Sequence, residues 1–123
     1  MIELAIVLPV LALLGLASVD MVRILSAEVK IQNAAREGAR YGARFSYDVA
    51  GIRQRVLDEL GSPTQNCGPQ ALTGITAERT VAPTPPGGAL ITVTVDCKFT
   101  FLSPMPVTGS SWNLRSAAAM LVI

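Results

Sequence analysis

From Leu4 to Val19 the chain runs LAIVLPVLALLGLASV without a charged residue, and Asp20 closes the run. At about 1.5 Å per helical residue this stretch spans roughly 24 Å, short of a ~30 Å hydrocarbon core unless Met21, Val22, Ile24 and Leu25 extend it. Beyond Asp20 the apolar positions thin out into a stripe. Ile24, Leu25, Ala27, Ile31, Ala34, Ala35 and Gly38 recur near i, i+3, i+4 and i+7, while Arg23, Glu28, Lys30 and Arg36 fall on other faces. The pattern predicts one long helix to about Phe45, apolar all round at first and amphipathic afterwards.

Within its second half the segment QNAAREGARYGAR carries small residues in two i, i+4 rows. Ala34, Gly38 and Gly42 form one row; Ala35, Ala39 and Ala43 form the other. Together they make a flat strip on which another backbone can approach closely. Glycine inside a helix costs roughly 0.5 to 1 kcal/mol relative to alanine, so two at this spacing imply that close packing offsets the loss. That packing is either against the protein's own head or against neighbouring subunits, and both can hold along different lengths.

Phe45 to Gly61 reads as a second, shorter amphipathic helix, with Val49, Ile52, Val56, Leu57 and Leu60 at helical spacing. Ser46 or Asp48 can cap its start and Gly61 its end. SPTQNCGPQ is then a turn-rich link. Leu72–Val81 is a weak strand signal, the PTPPGG tract after it a loop, and Leu90–Leu102 a strong strand in which Ala89, Ile91, Val93, Val95, Cys97, Phe99 and Phe101 alternate with mostly polar residues. After the loop SPMPVTGSS, Trp112 to Ile123, with Leu114, Ala117, Ala119, Leu121 and Ile123, supplies a third antiparallel strand. The expected fold is α+β: a long helix over residues 1–45, and a head over 46–123 in which a short helix and a small antiparallel sheet share one core.

Composition changes this picture little. Half the residues are apolar while aromatics are 5% and charged residues 15%, a balance too apolar for an ordinary soluble domain, and the formal charge is only +1. No basic patch interleaved with aromatics argues for nucleic acid as a partner. The chain has no histidine, and it shows no phosphate loop, nucleophile elbow or carboxylate cluster, so neither an enzyme nor a cofactor is indicated. Asp58 and Glu59 are adjacent and face different sides of their helix. With two cysteines and no histidine, the ligands of a structural zinc site are lacking. Cys67 and Cys97 form a disulfide if the head lies outside the cytoplasm, or remain two separate buried thiols.

The orientation of the helix poses a puzzle. Arg23, Lys30, Arg36, Arg40 and Arg44 follow the apolar run and no basic residue precedes it, so the positive-inside rule places the head in the cytoplasm, against the cysteines. A cleavable signal peptide fits poorly, since it needs a basic start and a small-residue cleavage site. The conflict disappears if Met1 is a processed N-terminus from which a basic leader has been removed. Glu3 adds to the case, because a carboxylate two residues into an apolar helix is costly in hydrocarbon unless paired. Either the N-terminal amine of an adjacent subunit neutralises it, or it lies at the headgroup interface.

IELAIVLPVLALLGLASVDMVRIL followed by IQNAAREGARYGAR resembles the TadE-like proteins of tight-adherence pili, a branch related to type IV pilins. The likeness covers about the first 45 residues and lies in the combination of Glu3, Pro9, Asp20, Arg23, Asn33, Arg36, Gly38, Ala39 and Arg40. It implies removal of a leader by a prepilin peptidase, a stay in the inner membrane, and assembly with copies of the chain or other pilins into an extracellular filament at the cell surface. Glu3 would then pair with a neighbour's terminal amine, although type IV pilins usually place that glutamate fifth rather than third. Met1, Glu3, Pro9 and the small-residue strip are the assembly residues on this reading. A single-pass anchor displaying a binding head, and a pseudopilin of a secretion system, are the alternatives.

Overall fold

The structure, a computed structural model, describes residues 2–61, 67, 72–81, 88–102 and 111–123. Helix α1 runs unbroken over Ile2–Arg44, with Pro9 inside it. At its end the chain turns: the Phe45 N–H donates to the Tyr41 carbonyl at 3.0 Å and the Asp48 N–H to the Phe45 carbonyl at 3.0 Å. Asp48 then caps α2, Val49–Leu60, its carboxylate accepting from the Gly51 N–H at 2.9 Å. The second helix thus begins four residues later than the apolar spacing predicts, because the turn at Phe45–Asp48 consumes the residues before the cap. Gly61, with φ +70°, ends it in the left-handed region that glycine enters at little cost.

Strands β1 (Leu72–Val81), β2 (Ala89–Thr100) and β3 (Ser111–Leu121) form an antiparallel meander with β2 in the centre. The alternation of β2 is realised over Ile91, Val93, Val95, Cys97 and Phe99, which are all buried, while Ala89 and Phe101, the latter just past the strand, are half-buried. Strand β3 is less direct. Its half-buried face is Leu114, Ser116, Ala118, Met120 and Val122, while Ala117, Ala119, Leu121 and Ile123 face outward. The run SAAAMLVI is small or apolar on both faces, so alternation within it does not choose a side. Pairing chooses it, setting Ala118 opposite Val93 and Met120 opposite Ile91.

Helices α1 and α2 lie on the buried face of the sheet, giving the expected α+β architecture. The core combines Ala27, Ile31, Ala34, Ala35, Ala39 and Ala43 of α1 with Ile52, Val56 and Leu60 of α2 and the inward residues of β2. The far half of α1 is therefore part of the head's own core. Burying each large apolar side chain here contributes on the order of 1.5–3 kcal/mol.

Candidate assembly surface and its anchor point

The near half of α1 stands outside this core. Only 6% of its most apolar 18-residue window is buried, and Leu4, Ile6, Val7, Leu8, Val10, Leu11, Leu13, Leu14, Leu16 and Val19 are exposed. By length and composition this helix can cross a membrane. Pro9 sits within the bare stretch, where a helix loses one backbone hydrogen bond. Glu3 is exposed near the start and has no ion-pair partner among the described residues; Met1 lies outside them.

Bare helix gives way to packed helix at Asp20, which is only 2% exposed. Its Oδ1 accepts from the Arg23 guanidinium at 2.9 Å and from the Leu102 N–H at 3.1 Å. The Arg23 guanidinium lies 5.3 Å from the centre of the Phe99 ring, which meets Phe101 edge-on. The carboxylate thus ties the helix to the chain just past β2, and the pairing makes its burial tolerable. In the sequence Asp20 marks the end of the apolar run and is one of the residues that carry the resemblance, with no partner indicated. Its position four residues before Ile24 and seven before Ala27 placed it on the core face, and that spacing was the available signal.

Along residues 34–43 the small-residue strip is used inside the chain. Ala34, Ala35 and Ala39 are fully buried, Ala43 nearly so, and Gly38 and Gly42 are buried with them. A Cβ at Gly38 would stand 2.6 Å from Val56 Cγ2 and 3.2 Å from Val93 Cγ1; one at Gly42 would meet Ile52 and Ile91, each at 3.0 Å. Of the two readings of the strip, the contacts within the chain are those of packing against the protein's own head. Gly38 leaves no room for a side chain in that approach of α1 to α2 and β2, and Gly42 leaves little.

Cys67 and Cys97 are buried with their Cα atoms 5.4 Å apart, within reach of a disulfide. Cys67 has φ 61°, left-handed for a side-chain-bearing residue. The bridge would join Cys67, which precedes β1, to the last third of β2.

At the far end of α1 the charged groups are exposed. Asp48 accepts from the Gly51 N–H and from the Tyr41 hydroxyl, the latter at 2.8 Å, and these bonds hold its carboxyl below the ordinary value. The same bond to Asp48 raises the Tyr41 phenol. Arg55 lies over the Tyr41 ring at 5.5 Å, and Arg40 reaches Glu37 at 4.0 Å.

The family model described as TadE-like protein matches residues 1–40. Neither a curated protein nor a solved structure matches the chain. Over residues 1–40, the segment that carries the bare apolar surface and the buried Asp20, the match supports a TadE-like, pilin-related protein.

Proposed function

We propose that this chain is a structural pilus subunit, held in the membrane by the near half of α1 and later packed through that same surface against copies of itself or other pilins. The TadE-like family is a pilus component rather than a known enzyme family, which supports a pilus-related role. The observation that carries the proposal is the bare apolar helix of Leu4–Val19, projecting from a head that is otherwise packed. So much exposed apolar surface is stable only in lipid or against other apolar helices. On this proposal residues 1–45 are the assembly helix and 46–123 the head, with the helix serving both. Prepilin peptidase would expose the amine that Glu3 of a neighbour needs.

One observation favours a second reading. Because the strip of Ala34 to Ala43 is buried under the head, a single copy covers that strip without a neighbour, as a membrane-anchored binding head would. Shearing of cells that produce the chain separates the two. A pilin subunit appears in the sheared filament fraction, and Glu3→Ala removes it from there while leaving its membrane level intact. An anchor stays wholly in the membrane fraction and is indifferent to Glu3→Ala.

A further inference from the structure

We infer that the membrane-proximal rim of the head, centred on Trp112, rests in the headgroup layer of the bilayer before assembly, so that the subunit meets the membrane through an interfacial head as well as a spanning helix. The inference rests on the proposal that Leu4–Val19 lies in the membrane.

The length of the apolar run sets the depth. About 24 Å of helix separates Leu4 from Val19, and a hydrocarbon core of about 30 Å needs roughly one further turn. That turn ends near Arg23. On the side of the turn away from the head, Met21, Val22 and Leu25 are exposed, so the apolar surface continues past Asp20. Asp20 itself can lie at this depth because Arg23 neutralises it at 2.9 Å.

The head is oriented by the same contacts. Ile91 lies against Gly42 and Val93 against Gly38, whereas Phe99 lies beside Arg23 and the Leu102 N–H reaches Asp20. Strand β2 therefore runs toward the membrane, and among the described residues the end of β2 with the start of β3 forms the near rim. Trp112 pairs with Phe99 across the two strands, which sets it at the level of Arg23, where the hydrocarbon ends.

Trp112 is 58% exposed there and Leu102 62%, beside a strand whose inward residues from Ile91 to Phe99 are buried. Tryptophan combines an apolar ring with one N–H donor and concentrates where hydrocarbon meets headgroups. A bilayer interface suits this pair better than water does.

Trp112 is the only tryptophan in the chain and reports its own surroundings. The full chain is placed in phosphatidylcholine vesicles containing lipids brominated either near the headgroup or near the chain ends. The expected result is blue-shifted emission quenched several-fold more strongly by the shallow bromines, unchanged as protein is diluted in lipid. A Trp112→Phe, Leu11→Trp chain should show the opposite order, because Leu11 lies mid-run. If Trp112 is unquenched while Leu11→Trp is quenched, the head stands clear of the membrane and the inference falls with insertion intact. If neither is quenched, the spanning helix falls too. Quenching and blue shift that vary with protein density would assign the rim to a second copy and overturn the inference.

Discussion

The backbone N–H of Leu102 donates to the carboxylate of Asp20, 82 positions earlier, at 3.1 Å. One buried oxygen thus joins the point where the helix enters the head to the end of the central strand, and Arg23 neutralises it from the same helix.

Removing the carboxylate should loosen that joint. Asp20→Ala is expected to cost about 2–3 kcal/mol, because the Leu102 N–H loses its acceptor and Arg23 loses its counter-charge. Asp20→Asn should cost less, since an amide oxygen can still accept from Leu102. Denaturant unfolding of detergent-solubilised protein, followed by Trp112 emission, measures both. Equal stability of wild type and Asp20→Ala would remove Asp20 from the role of fastener.

The glycines of α1 should answer differently according to what surrounds them. Gly38→Ala drives a methyl into Val56 and should destabilise by about 1–3 kcal/mol. Gly42→Ala, with its nearest atoms at 3.0 Å, should cost less. Gly15 has nothing within 4 Å, so Gly15→Ala should leave the head unchanged and favour the helix by roughly 0.5–1 kcal/mol. Adding Val56→Ala to Gly38→Ala restores part of the loss if the clash is its cause. Thermal melts of the four variants test the series.

These contrasts mark how far the sequence alone reaches. Strand β2 was legible because strict alternation from Ala89 to Phe101 admits one buried face, and both helices followed from apolar spacing. The face of β3 was not, because Ala117, Ala118 and Ala119 give alternation nothing to grip. Nor could spacing tell whether the Gly38/Gly42 strip met the protein's own head or a neighbour, since both ask for the same small residues. That question was decided by Val56 and Val93, which are distant in sequence. Asp20 was visible as a charge and hidden as a joint, because its partner Leu102 follows the final residues of β2.

The cysteine pair predicts a covalent constraint. With the two cysteines 30 positions apart, a Cys67–Cys97 bridge should contribute roughly 3–4 kcal/mol by the chain-entropy model. Protein isolated from the oxidising side of the membrane should resist maleimide until reduced, and Cys67→Ser/Cys97→Ser should unfold at lower denaturant. Ready labelling of unreduced native protein would show two thiols instead.

Acid should weaken the cap of α2. The folded Asp48 carboxyl sits below its ordinary value, so its contribution is present in full above that value and is lost as pH falls through the depressed one. Asp48→Asn retains a capping side chain without titrating, and its stability should fall less across the same acid range. The Tyr41 phenol, raised by the same bond, gives the complementary loss at alkaline pH, as pH rises through its elevated value. Helical circular dichroism against pH, compared between wild type and Asp48→Asn, checks the sign.

The account depends most on what covers the bare helix once the subunit leaves the membrane. A photoreactive benzophenone side chain placed at Leu11, in cells that make filaments, measures this directly. Illumination of sheared filaments should join Leu11 to the apolar helix of another subunit, in a band absent without light. Filaments in which Leu11 reacts with no other subunit, or a chain that never leaves the membrane fraction, would contradict it.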